Sequence, residues 1–165
     1  MLVIVQRRLK KLITIELKKN LPKVLTSLLD IDMSTKQLLL SDDNEDNRTL
    51  VKFALEMHTG WEVSTASDGI KGITKAELER PDVILLDLLM PGLDGLTVYE
   101  VLKSNLFTCT IPIIFMTAFT QEKVLAQLES TLADGVITKP FDAVNLDSQI
   151  AEICDWELVE HQLKY

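Results

Sequence analysis

The sequence predicts an α/β fold in which a doubly wound, five-stranded parallel sheet carries helices on both faces. Three observations lead there. Leu38-Leu39-Leu40, Val83-Ile84-Leu85-Leu86 and Ile113-Ile114-Phe115-Met116 are short, continuous apolar runs, as strands buried on both faces of a parallel sheet require. Glu62-Val63-Ser64-Thr65-Ala66 and Gly135-Val136-Ile137-Thr138 are β-prone but interleaved with small or polar residues, as edge strands are. Amphipathic stretches of helical length alternate with these strands, and such alternation implies right-handed crossovers between parallel neighbours.

The chain has 165 residues, 47% of them apolar and 25% charged, with 6 Gly and 5 Pro. That length and composition fit one packed domain and exclude a mainly disordered or collagen-like chain. Two cysteines and two histidines cannot build a Cys/His zinc site or a framework of several disulfides, so Cys109 and Cys154 read as reduced thiols. The longest uncharged run, Ser104 to Gln121, contains Asn105, four threonines and Pro112, which hydrocarbon penalises. No transmembrane segment is expected. The apolar residues Met1 to Val5 precede the basic ones and no small-residue cleavage site follows, so no secretory signal is read and the cytoplasm is the expected location.

Charge divides the chain. Residues 1–36 carry eight basic and three acidic side chains, a net +5, whereas the rest carries 9 and 22, a net −13. An acidic body repels phosphate backbones, which argues against nucleic-acid binding by the main domain. Residues 1–35 read as a basic extension. Val5, Leu9, Leu12 and Ile13 recur at helical spacing among Arg7, Arg8, Lys10 and Lys11, until Pro22 breaks the pattern. A membrane-surface or nucleic-acid-binding arm fits that pattern; a disordered or solvated extension, or an untranslated segment with Met33 as initiator, is the preferred expectation.

The regular domain is expected over 36–162. After the first strand, Leu50, Phe53, Ala54 and Met57 give a helical stripe; Ile70, Ile73 and Leu78 follow the second strand, and Leu96, Tyr99, Val101 and Leu102 the third. Val124, Leu125, Leu128 and Leu132, then Ile150, Ile153, Cys154 and Leu158, complete five helical stretches.

In this architecture ligands lie at the carboxyl ends of the strands. There stand Asp42-Asp43 after the first strand, Asp87 after the third, Thr117 after the fourth and Lys139-Pro140 after the fifth. Three converging carboxylates repel one another and call for a cation, and an all-oxygen set that leaves room for phosphate suits Mg²⁺. Lys139 supplies a point charge for an oxyanion, and Thr117 a hydroxyl donor. With a divalent ion the formal charges sum to about zero, so an incoming phosphoryl group finds its charge answered. An aspartate beside Mg²⁺ can attack phosphorus, and Asp87, after the most apolar strand and before the Pro91-Gly92 turn, is the best-placed nucleophile.

The stretches Leu38 to Asp43, Leu85 to Gly95, Phe115-Met116-Thr117-Ala118 and Thr138-Lys139-Pro140-Phe141 resemble the receiver domain of two-component response regulators, particularly the single-domain chemotaxis type. Separations of 44 from Asp43 to Asp87, 30 from Asp87 to Thr117 and 52 from Asp87 to Lys139 agree with that family's register. The resemblance covers about residues 36–160. It implies a flavodoxin-like sheet of order 2-1-3-4-5 and a signalling protein, not an enzyme acting on other molecules. It also implies that Asp87 accepts a phosphoryl group from a sensor histidine kinase or phosphotransfer protein. Asp43, Asp87 and the Leu89 carbonyl would ligate Mg²⁺, with Asp42 acting through water. Thr117 and Lys139 would bind phosphoryl oxygens, and the Lys139-Pro140 bond would be cis. Output would pass to a protein partner through the 122–160 surface, since no output domain is expected. Trp156 is read as core packing, with a contact patch shared with Leu158 and Val159 as the alternative.

Two departures from the family's pattern stand out. Val136 replaces the aromatic often found three residues before the lysine, and its stiff χ1 cannot make the large swing of a ring. Leu89 and Phe119, two residues past Asp87 and Thr117, are apolar and cannot orient a hydrolytic water, which predicts a long-lived acyl phosphate. A silent interaction module and a Mg²⁺-dependent phosphohydrolase are the alternative functions; the latter needs a general acid where Leu89 stands.

Overall fold

The computed structural model describes residues 35–118 and 133–156. Residues 1–34 of the basic extension, the stretch around Val124 to Leu132, Phe119, and Leu158 with Val159 lie outside the described residues.

Among the described residues nine elements follow in chain order: β1 (Gln37–Ser41), α1 (Glu45–Thr59), β2 (Glu62–Ala66), α2 (Gly69–Glu79), β3 (Val83–Asp87), α3 (Gly95–Ser104), β4 (Ile113–Thr117), β5 (Gly135–Thr138) and α4 (Leu146–Cys154). The five strands form one parallel sheet of order β2-β1-β3-β4-β5. The two interleaved strands, β2 and β5, are its edges, as their alternation predicts. β3 and β4 are buried at all five positions.

Side chains alternate across the sheet and feed two cores. On one face Leu38, Leu40, Leu85 and Ile114 meet Val51 and Leu55 of α1 and Leu146 and Ile150 of α4. On the other, Leu39, Ile84, Leu86 and Phe115 meet Ala76 of α2 and Val98 and Leu102 of α3. Trp156 packs edge-on against Trp61, ring centroids 5.3 Å apart, and joins the first core, so its packing role holds.

Each of the first three helices starts at a side-chain cap. Asn44, Asp68 and Asp94 accept hydrogen bonds from the backbone N–H groups of Asn47, Lys71 and Thr97, satisfying amides that a first turn leaves without carbonyl partners.

Three helical faces differ from the expected ones. In α1 the buried residues are Val51, Ala54 and Leu55, while Leu50, Phe53 and Met57 are 48%, 64% and 64% exposed. The helix carries apolar residues on two adjacent faces, and only the one that reaches β1 and α4 is covered. In α2 the buried residues are Gly69, which faces Leu93 and Val98, Gly72 and Ala76; Ile73 is half-buried, and Ile70 and Leu78 are exposed. Small residues let that helix approach closely: a Cβ on Gly72 would stand 2.7 Å from Ser41 Oγ. On α3 the anchors are Val98 and Leu102, with Leu96 and Tyr99 half-buried and Val101 outside.

Candidate functional site

All five strands point the same way, so their carboxyl ends form one rim. Ser41 is in register with Leu86, Asp87 with Met116 and Thr117 with Thr138. The residues that follow β1 and β5 therefore meet the end of β3 from both sides.

Asp42 and Asp87 are buried and Asp43 is exposed, and each offers a carboxylate oxygen within 4.8 Å of the others. Lys139 lies between two of them, its Nζ 2.7 Å from Asp42 Oδ2 and 2.9 Å from Asp87 Oδ2. The Lys139–Pro140 peptide bond is cis. Lys139 N–H donates to the Thr117 carbonyl at 2.7 Å, which ties the two strand ends together at the site, and Thr117 is wholly buried. Leu89 is half-exposed, and its N–H donates to Asp87 Oδ1 at 3.3 Å. The sequence-predicted residues thus gather at one rim, with Asp42, Asp87 and Lys139 in direct contact.

Burial pushes the Asp87 carboxyl above the ordinary carboxylate range, because a charge leaving water loses solvation; the Lys139 hydrogen bond and charge and the Leu89 amide oppose this, and Asp42 adds to it. Burial works against the Lys139 ammonium too. The hydrogen bonds and charges of Asp42 and Asp87 outweigh it and hold that pKa above the usual lysine value.

Pro91 and Gly92 form a turn in which Gly92 takes φ +85°, a conformation that suits glycine. Three residues on, the start of α3 touches the end of β3: a Cβ on Gly95 would lie 2.4 Å from the Asp87 carbonyl oxygen.

Three residues that sequence reasoning passed over complete the first turn. Asn44 N–H donates to Asp42 Oδ1 at 2.8 Å, and Asn47 Nδ2 reaches Asp42 Oδ2 at 3.4 Å. Arg48 Nη1 donates to the carbonyl oxygens of both Asp42 and Asp43, at 2.8 and 2.9 Å. The available signal was the cap: Asn44 followed by Glu45-Asp46 starts a helix, which places Arg48 one turn on, beside the acidic loop.

The donor set is all oxygen, hard and net negative, and fits Mg²⁺ better than a softer metal. Val136, in place of an aromatic, packs half-buried against the second core. Among the described residues no helix is long and apolar enough to cross a membrane.

Comparison with known proteins agrees with this geometry. The profile for "Response regulator receiver domain" matches residues 38–151. The chain is 40% identical over 120 residues to the alkaline phosphatase synthesis transcriptional regulatory protein PhoP of Bacillus subtilis, covering 72% of this chain and 48% of that protein. It is 38% identical over 128 residues to the response regulator PleD of Caulobacter vibrioides, covering 78% and 28%. It therefore spans about half or less of the curated relatives it matches. Among solved structures, the chemotaxis response regulator CheY4 of Vibrio cholerae superposes with a TM-score of 0.68 at 28% identity, covering 73% of this chain and 99% of that one. A match over more than two thirds of the chain, the same strand order and the acidic rim at the strand ends agree: this chain belongs to the receiver domains of two-component response regulators, a family of signalling proteins rather than classical enzymes.

Proposed function

We propose that the domain accepts a phosphoryl group on Asp87 from a phosphohistidine of a sensor kinase or phosphotransfer protein, and passes the signal to a protein partner in the cytoplasm. The observation that carries this is the placement of Asp87. It is a buried carboxylate at the end of the central strand, with a lysine 2.9 Å away and two further carboxylates within 4.8 Å.

An Asp87 oxygen attacks phosphorus; an O–P bond forms, the N–P bond to the donor imidazole breaks, and the imidazole nitrogen keeps the electron pair and takes a proton from solvent. Asp87 needs no base, because the reaction uses its ionised form. Asp43, Asp87 and the Leu89 carbonyl would hold Mg²⁺, with Asp42 acting through water. Bound there, the ion would supply neutralisation of the negative charge that gathers as the phosphoryl group arrives. Lys139 offsets negative charge on the oxygens that arrive, and the Thr117 hydroxyl donates to one of them.

A phosphohistidine sits on a macromolecule, so its donor must dock beside Asp87. The exposed Leu50, Phe53 and Met57 lie along the helix that starts four residues beyond Ser41, and they supply an apolar contact face on it. Output is assigned to the 122–160 surface, where β5, the exposed Val144 and α4 are described.

Titration with Mg²⁺ and beryllofluoride, a mimic of the phosphoryl group, tests the reading. Tight Mg²⁺-dependent binding that Asp87→Asn abolishes is expected. No binding to the native protein points to a silent module, and turnover of a simple phosphate ester points to a hydrolase.

A further inference from the structure

The geometry assigns Arg48 a positioning role: it clamps the Asp42–Asp43 backbone so that the exposed Asp43 carboxylate stays aimed at Asp87, and thereby sets the affinity of the acidic rim for a divalent cation. This inference rests on the proposed Mg²⁺ site.

The connection from β1 to α1 is three residues long, and it must place two acidic side chains on one target. Asp42 is fixed through its own carboxylate. Its Oδ1 accepts from the Asn44 amide and its Oδ2 from Lys139 and Asn47, and the residue is wholly buried. Asp43 is different. It is exposed, and among the described residues its hydrogen-bond partner is Arg48, whose Nη1 donates to its backbone carbonyl at 2.9 Å. An exposed aspartate samples several rotamers, and two like-charged neighbours would drive its carboxylate outward to solvent.

Arg48 opposes this without touching a carboxylate. One nitrogen donates to two successive carbonyls, Asp42 at 2.8 Å and Asp43 at 2.9 Å, which fixes both peptide planes and so the Cα–Cβ direction of Asp43. The arginine is itself anchored: its N–H donates to the Asn44 carbonyl at 3.1 Å in the first turn of α1, and Asn44 caps that turn. The guanidinium thus orients a ligand from behind, as groups that hydrogen-bond metal ligands do.

Charge and positioning predict opposite signs, which makes the role testable. If Arg48 acted only as a nearby cation, its removal would make the rim more negative and Mg²⁺ would bind more tightly. If it positions Asp43, removal weakens Mg²⁺, by about tenfold or more for a group of this kind.

The experiment is calorimetric titration of the full chain with Mg²⁺ alone at pH 7, for the native protein, Arg48→Met, Arg48→Lys and Asp43→Asn, with urea midpoints recorded for each. Arg48→Met is expected to bind at least about tenfold more weakly than native. Arg48→Lys, which keeps a charged donor on a flexible stem, should recover part of the loss. A merely structural role would lower the urea midpoint and leave the affinity of the folded protein unchanged. Unchanged or tighter binding by Arg48→Met overturns the inference. Should that variant fail to fold, Arg48→Gln, equally neutral, decides by the same sign. Failure of the native protein to bind Mg²⁺, or native affinity in Asp43→Asn, overturns the metal site itself and is distinct from a failure confined to Arg48.

Discussion

Replacing Lys139 with methionine removes the cation that lies 2.7 Å from Asp42 Oδ2 and 2.9 Å from Asp87 Oδ2, and leaves a side chain of similar length. The three side chains are 15%, 0% and 10% exposed, so the two carboxylates left behind are largely cut off from water. Breaking a buried ion pair from one side costs about 3–5 kcal/mol. The lower end applies, because Lys139 and Asp87 retain some contact with solvent and Asp42 keeps the Asn44 amide. A loss of about 3 kcal/mol lowers the melting temperature of a domain this size by roughly 6–12 °C. Urea unfolding at pH 7 in chelator measures it. Two dependences identify the cause. The deficit shrinks as pH falls and the orphaned carboxylates take protons, because a neutral carboxyl no longer needs the lysine. It also shrinks with saturating Mg²⁺, because the rim without its lysine is more negative and binds the cation more tightly than the native rim does, each tenfold in affinity returning about 1.4 kcal/mol. A loss below about 1 kcal/mol, or one indifferent to pH and Mg²⁺, would refute the view that Lys139 neutralises a buried acidic pair.

Three further outcomes follow from the same structure. The hydrogen bond from the Thr97 backbone N–H holds the Asp94 carboxyl below its ordinary value, so the stability it adds is present above that ordinary value and is lost as pH falls through the lowered one; Asp94→Ala should cost about 1 kcal/mol at neutral pH, and urea midpoints should converge with native in strong acid. Phe53→Asp should slow phosphotransfer from a histidine-phosphorylated donor protein by tenfold or more, leave labelling by a small acyl phosphate unchanged, and alter stability within about 0.5 kcal/mol, since the ring is 64% exposed. Polar substitutions at Leu89 and Phe119 together should shorten the half-life of the phosphorylated form, followed by loss of the adduct mass, and an unchanged half-life would count against the water-exclusion reading.

The strands were legible because a parallel sheet buried on both faces needs unbroken apolar runs, and Leu38-Leu39-Leu40 or Val83 to Leu86 can serve nothing else as well. Helix faces were harder. In α1, Leu50 and Val51 are neighbours, and hydrophobicity alone does not say which turns inward; packing against Leu38 and Ile150 chooses Val51. In α2 the contact residues are glycines and an alanine, which hydrophobic periodicity does not register, while the larger Ile70 and Leu78 face outward. At the site, residues that act through charged side chains at strand ends were found from topology and spacing. Asn44, Asn47 and Arg48 were not, because their contacts run to the Asp42 carboxylate and to backbone carbonyls, and an arginine in the second turn of a helix otherwise reads as a solvated charge.

The most direct test of the central claim is the intact mass of the protein after incubation with a small acyl-phosphate donor and Mg²⁺, native beside Asp87→Asn. The account predicts one phosphoryl adduct on the native chain, none on the variant, and its loss in hydroxylamine, as an acyl phosphate requires. An adduct of equal yield on Asp87→Asn, or one that resists hydroxylamine, would contradict Asp87 as the acceptor.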